Sequence, residues 1–159
     1  MKKLSLLFVL LSFYSFAQDC NHIKIKTDEF TEDRSAHTPW DNKNGLTNLV
    51  ADKKLYKDRT AVILKANIKS QFGDKNARGA YFIFDDDSKL QFPDEIIDIR
   101  YSRISGYTYS TFIPLKPEQI EILKNKRITK MRIGSADLAM RDDDSVQFRE
   151  DFKCLVSLQ

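Results

Sequence analysis

Apolar and polar residues alternate along several stretches of the chain, which is the period of a β-strand with one buried face. Residues 22–27, 60–72 and 128–133 show this pattern, and each is predicted to be a strand. Residues 46–57 fit no single period and are predicted to form a short strand and a turn. The mostly polar residues 28–44 predict a long loop that can include a short strand near Trp40. The apolar positions of the longest strand are Val62, Leu64, Ala66, Ile68 and Phe72.

Two β-hairpins are predicted between residues 78 and 113. In the first, residues 80–85 pair with residues 90–92 around a polar turn. The second is centred on Ser105 and Gly106, so that Ser102 faces Tyr109. Pro93 is expected to separate the hairpins, because proline cannot donate a ladder hydrogen bond. The face of the second hairpin expected to lie in the core carries Ile97, Ile99, Tyr101 and Phe112.

Two helices are predicted near the end of the chain. Pro117 and Glu118 are typical of a first helical turn, and Lys124 supplies a cation where the helix dipole favours one, so we expect a helix near residues 117–125. Residues 145–157 fit both a strand and a helical face, and we expect a C-terminal helix because polar residues before them can cap it. The predicted fold is α+β and β-rich, a mainly antiparallel sheet or sandwich of about seven or eight strands.

The first seventeen residues have the features of a secretory signal peptide. Lys2 and Lys3 precede an apolar run over residues 4–16, and Ser15 and Ala17 are small residues at the −3 and −1 positions of a cleavage site. The run is too short for a stable membrane span. We therefore expect residues 1–17 to be removed and residues 18–159 to form one exported domain, periplasmic or extracellular and not membrane-spanning.

The charge balance argues against two classes of partner, nucleic acids and anionic membrane surfaces. The full chain carries 26 basic and 23 acidic residues, and removal of residues 1–17 deletes two lysines and no acid, which leaves 24 against 23. Nucleic acids and anionic membrane surfaces are bound by a clustered excess of basic residues. The near-neutral mature chain therefore argues against both as partners.

The chain has two cysteines, Cys20 and Cys154, which lie near the two ends of the expected mature protein. Exported proteins form disulfides in an oxidising compartment, so a bond between these two is predicted. The alternative is a reactive thiol beside His22, although no group nearby would orient such a pair.

Three segments carry a resemblance to known sequences. These are the signal ending in Phe16, Ala17 and Gln18, the segment over residues 28–31, and the block over residues 117–133 followed by a late cysteine. They resemble uncharacterised small exported proteins of Bacteroidetes bacteria. The resemblance implies a cell-envelope or extracellular location and carries no catalytic residues, because no activity is assigned to proteins of this kind.

The acidic triplets at residues 85–87 and 142–144 are the candidates for a metal site. Calcium prefers several carboxylate and carbonyl oxygens, but neither triplet has the spacing of a calcium loop. For Asp85, Asp86 and Asp87 we expect a solvated turn, and for the second triplet a helix cap, with no metal or other cofactor. Stabilisation by calcium is the alternative.

Catalytic motifs are missing from the sequence. It has no glycine-rich phosphate loop, no G-x-S-x-G elbow and no local zinc pattern around its two histidines. A pair of carboxylates suited to glycoside hydrolysis stays open, because such a pair forms only in the folded chain. An enzyme is therefore the less favoured class.

The candidate binding surface is the face of the second hairpin that carries Arg100, Tyr107 and Tyr109, together with Trp40. Tyrosine and arginine on a rigid sheet offer sugars or proteins large amphipathic contacts at low entropic cost. The alternatives are an ordinary half-exposed sheet face, with Arg100 paired with Asp98, and a Trp40 that covers one end of the core.

These patterns favour a non-catalytic exported binding or cell-envelope accessory module with a protein or carbohydrate partner. The alternative is a small hydrolase, or an inhibitor of one, that acts on envelope or host polymers.

Overall fold

The computed structural model describes residues 20–39, 47–74 and 76–158 of the chain. The expected signal peptide and Trp40 lie outside these residues. Over the described ranges the backbone forms ten strands and two helices, so the fold is α+β and β-rich as predicted, with more strands than expected. Helix α1 (Pro117–Asn125) precedes the ninth strand, and α2 (Asp142–Ser157) follows the tenth. The strands are β1 (Lys24–Thr27), β2 (Arg34–His37), β3 (Thr47–Leu55), β4 (Thr60–Ser70), β5 (Arg78–Phe84), β6 (Lys89–Ile96), β7 (Asp98–Ser102), β8 (Gly106–Pro114), β9 (Ile128–Ile133) and β10 (Ala136–Ala139).

The strands form two antiparallel sheets whose inner faces share one core. The larger sheet has the order β1-β2-β3-β4-β8-β7 and the smaller has the order β10-β9-β5-β6. Strands β4 and β8 of the larger sheet contact β9 of the smaller one, and α2 contacts both β3 and β9. Helix α1 packs against α2. The two helices therefore lie against the sandwich and extend its core.

The buried residues of the strands lie mostly at the alternate positions that the sequence predicts. In β4 the side chains of Val62, Leu64, Ala66 and Ile68 are buried, although Phe72, beyond the end of the strand, is exposed. The prediction of a short strand within residues 46–57 is corrected to the nine-residue β3, which pairs with β2 on one side and β4 on the other. Strand β2 lies within the expected loop, close to the short strand considered near Trp40, and strand β10 was not predicted.

The first hairpin is present as predicted, and its register places Phe82 opposite Leu90 and Ala80 opposite Phe92. Pro93 does not end the strand, however. It lies within β6, which is an edge strand of the smaller sheet, so the missing N–H needs no ladder partner. The register shifts beside it, where Gly79 has a φ of 84°.

The predicted register of the second hairpin is wrong by three residues. Ser102 pairs with Gly106, and Ile99, not Ser102, pairs with Tyr109. The loop is residues 103–105, and Gly106 follows it with a φ of 72°, which is typical of a three-residue hairpin loop. Because the shift is an odd number, it moves Tyr109 to the inner face and leaves Phe112, predicted to be in the core, 56% exposed.

Both helices are confirmed. In α1 the Gln119 side chain accepts a hydrogen bond of 2.9 Å from the backbone N–H of Lys116, which caps the first turn. Helix α2 begins at Asp142, three residues before the predicted start, because the second acidic triplet forms its first turn, where the dipole favours negative charge. Neither helix, in the part of the chain that the structure describes, is long and apolar enough to cross a membrane.

The predicted disulfide between Cys20 and Cys154 is present, with 5.4 Å between the Cα atoms. Both thiols are therefore consumed, and the alternative of a reactive cysteine beside His22 is wrong. His22 instead contacts α2, where its Nε2 lies 2.8 Å from the Oδ1 of the buried Asp151. A covalent bond and a polar contact thus hold the start of the described chain against the last helix.

A buried lysine caps the C-terminal end of α2. Lys53 lies on the inner face of β3 with 7% of its surface exposed, and its Nζ donates to the carbonyl oxygens of Val156, at 2.9 Å, and Leu158. The last turn of α2 has no basic residue of its own, so Lys53 supplies the cation at the negative end of the helix dipole. Burial lowers the pKa of this ammonium group.

Removal of the disulfide should lower the free energy of unfolding without changing the fold. We expect the Cys20→Ser, Cys154→Ser double variant to lose about 2–5 kcal/mol in urea denaturation, because the bond constrains a long loop of the unfolded chain. Unfolding of the unchanged protein in a reducing agent is the matched control and should give the same loss. An unaltered midpoint in both would contradict the role of the bond.

Loss of the Lys53 ammonium should destabilise the contact between β3 and α2. We expect Lys53→Met to lower the free energy of unfolding by about 1–3 kcal/mol, because two helix carbonyls lose a charged donor while the chain volume is kept. The matched control is Lys54→Met on the exposed face of the same strand, which should change stability by no more than about 0.5 kcal/mol. Equal effects of the two substitutions would show that the cap contributes nothing.

Candidate functional site

The structure separates the residues of the predicted binding surface. Arg100 lies on the outer face of β7, exposed, and its Nε donates to Oδ2 of Asp98 at 2.8 Å, which is the pairing considered as the alternative. Tyr109 lies on the inner face and is fully buried. Tyr107 is half-buried, with its ring centre 5.0 Å from that of Tyr101. The corrected register therefore places Arg100 and Tyr109 on opposite faces of the sheet, and Trp40 lies outside the described residues.

Tyr109 has a structural role in the described molecule. Its hydroxyl accepts hydrogen bonds from the backbone N–H of Asp74, at 2.7 Å, and from the hydroxyl of Ser135, at 3.1 Å. It also contacts the carbonyl oxygen of Phe72 at 3.2 Å. These partners belong to the β4–β5 loop and the β9–β10 turn, so the side chain joins the two sheets through the core.

The first acidic triplet forms ion pairs with the segment that follows α1. Oδ2 of Asp85 accepts a hydrogen bond from Nε of Arg127 at 3.0 Å, and Oδ2 of Asp86 lies 2.7 Å from Nζ of Lys126. The hydrogen bond from Lys126, helped by Ser88, lowers the pKa of Asp86 to about 2. Asp87 occupies the turn with a φ of 62°. Over the described ranges, no three histidine, cysteine or acidic side chains are grouped so that they could hold a metal ion.

A depression of about 370 Å³ lies on the outer face of the smaller sheet. Strand pairing arranges its side chains in two rows across β6, β5, β9 and β10. The first row is Gln91, Tyr81, Arg132 and Asp137, and the second is Lys89, Ile83, Lys130 and Ala139. On the two central strands, Tyr81 and Ile83 of β5 therefore lie directly beside the cations Arg132 and Lys130 of β9.

Gly79 explains the position of the aromatic ring at the centre. A Cβ atom at this residue would lie 2.8 Å from the ring and the hydroxyl of Tyr81, which is closer than real side chains approach. The glycine also has the positive φ that the register shift requires. The absence of a side chain therefore allows the Tyr81 ring to lie against the backbone, where it forms part of the floor.

The ion pair between Arg132 and Asp137 forms one wall of the depression. Nη2 of Arg132 donates to Oδ2 of Asp137 at 2.7 Å, and Nε donates to the other carboxylate oxygen, so the contact is bidentate. The hydrogen bond from Arg132 lowers the pKa of Asp137, and the same pair raises the pKa of Arg132. This carboxylate is therefore ionised at neutral pH and paired with Arg132.

The remaining polar side chains of the lining have no hydrogen-bonding partner among the described residues. The side chains of Lys89, Lys130 and Gln91 make no hydrogen bond or ion pair with any residue that the structure describes. The Tyr81 hydroxyl makes no hydrogen bond there either, although it interacts electrostatically with Arg132. The lining carries three cations and one anion, so it has a local positive charge on a nearly neutral protein. Unpaired donors beside an apolar floor are the arrangement of a ligand site.

Comparisons with protein-family models, with curated proteins and with solved structures find no match to this chain.

The sequence contains part of the signal for this site. Alternation places Tyr81 and Ile83 on one face of their strand and Lys130 with Arg132 on one face of theirs. The alternation does not predict the strand order, because β9 pairs with β5 across about fifty residues of chain. Without that pairing the two sets cannot be placed on the same surface.

The ion pair predicts a measurable titration. Because Arg132 lowers the folded pKa of Asp137, the stabilisation from the pair is present above the ordinary aspartate pKa and is lost as pH falls through the folded pKa. In carboxyl-detected NMR we expect Asp137 to titrate below its ordinary value of 3.8. Arg132→Gln should return it towards that value, whereas the distant Arg141→Gln should not. Equal titration in all three proteins would contradict the pairing.

Proposed function

We propose that the protein is an exported, non-catalytic binding module whose ligand occupies the depression on the outer face of the smaller sheet. The observation that carries the proposal is the combination of a fixed aromatic floor, Tyr81 on Gly79, with the unpaired polar groups of Lys89, Lys130 and Gln91 around it. The paired strands of the sheet fix the backbone positions from which these side chains project, which lowers part of the entropic cost of binding.

Export is supported by two independent features. The disulfide between Cys20 and Cys154 is of the kind that persists in oxidising compartments. The charged and apolar pattern over residues 1–17 is that of a secretory signal. Both features support a depression that is exposed to envelope or extracellular material.

Binding without catalysis accounts for the lining better than hydrolysis does. Glycoside hydrolysis needs two carboxyl groups, one of them with a raised pKa so that it can act as an acid. The lining of the depression has one carboxylate, Asp137, whose pKa is lowered by Arg132. A single ionised and paired carboxylate can orient a ligand but cannot donate a proton to a leaving group at neutral pH.

Co-sedimentation with insoluble polysaccharide and peptidoglycan tests this proposal. We expect the protein to sediment with at least one of these polymers and to release no soluble reducing sugar. Tyr81→Ala should lower the apparent affinity by about tenfold, because the stacking surface is lost.

The matched control is Tyr101→Ala, which removes an aromatic ring that is 65% exposed on the larger sheet. It should leave sedimentation unchanged. A loss of binding in Tyr101→Ala but not in Tyr81→Ala would move the site to the β7–β8 hairpin. Release of soluble product that survives Tyr81→Ala would contradict a non-catalytic module.

A further inference from the structure

We infer that the ligand of this depression is an acidic saccharide, whose sugar ring stacks on Tyr81 and whose carboxylate or sulfate groups pair with Lys89 and Lys130. This inference rests on the proposed function, because it names the ligand class of the same site. Three observations support it. These are the spacing of the charges, the hydrogen-bonding groups beside the ring, and the pairing of the strands beneath them on both sides.

The two unpaired lysines stand on opposite sides of an apolar residue. Lys89 and Lys130 are the cross-strand partners of Ile83 on β6 and on β9. Two interstrand spacings separate their backbones by about 10 Å. Two cations at this distance, with no anion between them, favour a ligand that carries more than one negative group along its length.

The groups beside the ring suit the hydroxyls of a sugar. The Tyr81 hydroxyl and the Gln91 amide can each donate and accept hydrogen bonds, and the Asp137 carboxylate accepts them. Since Arg132 contacts both oxygens of that carboxylate, its remaining lone pairs point away from the guanidinium group. A sugar ring presents apolar C–H groups to an aromatic face and hydroxyls around its edge, which matches this arrangement.

The backbone beneath the depression argues against an acidic peptide. Extended peptides bind sheets mainly by adding a strand to a free edge. Strand β5 pairs with β6 and β9, and β9 pairs with β5 and β10, so the central strands have neighbours on both sides. A peptide on this face would have side-chain contacts alone.

A single aromatic ring on the outer face also argues against a single-stranded nucleic acid. Such ligands are bound on successive aromatic platforms along a continuous basic groove. Tyr81 is the one aromatic side chain of the two rows, and the lining has three cations.

Calorimetry with matched oligosaccharides tests the inference. The probes are hexagalacturonate and its methyl ester, which has the same sugar chain without the negative charges, with heparin and chondroitin sulfate hexasaccharides as further acidic probes. An acidic peptide and an oligonucleotide of similar charge complete the set. We expect at least one acidic saccharide to bind with a Kd below about 1 mM, and more weakly as salt is raised.

The variants separate charge from stacking. Lys130→Met should weaken binding of the acidic saccharide by about five- to tenfold, because it removes one charge-assisted contact. The matched control is Lys69→Met, which removes an exposed lysine from the larger sheet and should have no effect. Tyr81→Ala should weaken binding by about tenfold.

The outcomes distinguish this inference from the function on which it rests. Equal affinity for hexagalacturonate and its methyl ester, or tighter binding of the peptide or oligonucleotide, would overturn the ligand class. If the probe that does bind loses its affinity in Tyr81→Ala, the proposed function stands. Failure of every acidic saccharide in the set to bind also overturns the ligand class. Binding that is unchanged in Tyr81→Ala overturns both the ligand class and the proposed function.

Discussion

Burial of one face of each sheet is the constraint on which the rest of the structure depends. Side chains alternate between the two faces of a strand. This alternation buries Leu64 and Ile68 in one sheet and Phe82 and Met131 in the other, and it also decides which residues face outwards. Tyr81, Ile83, Lys130 and Arg132 face outwards because their neighbours along the chain are buried in the core. The candidate site is therefore a consequence of the fold and not an addition to it.

Helix α2 completes the core because polar and covalent links hold it at several points. The disulfide and the contact between His22 and Asp151 fix it to the start of the described chain, and Lys53 caps its last turn from β3. The helix contacts β3 of one sheet and β9 of the other. It thereby supports β9, one of the two central strands that carry the depression.

The sequence predicts local structure well where a strong period or a proline is present. The strand predicted from residue 60 (β4, Thr60–Ser70), helix α1 and the disulfide are confirmed, because each depends on a few nearby residues or on the only two cysteines. The second hairpin was mispaired because a glycine at the end of a three-residue loop resembles one at the centre of a two-residue turn. That error placed Tyr109, a buried link between the sheets, on the candidate surface.

The site itself depends on long-range pairing that no local pattern contains. Alternation assigns Tyr81 and Arg132 each to one face of a strand, but only the order β10-β9-β5-β6 places them side by side. The role of Gly79 likewise becomes clear only when the ring above it is in place.

Chemical-shift mapping of the backbone amides during titration with an acidic hexasaccharide tests the central claim most directly. The account predicts that the largest changes fall on β5 and β9, around Tyr81, Ile83, Lys130 and Arg132, while β7 and β8 stay unchanged. Changes centred on the β7–β8 hairpin, with none on β5 and β9, would contradict the assignment of the ligand site to the smaller sheet.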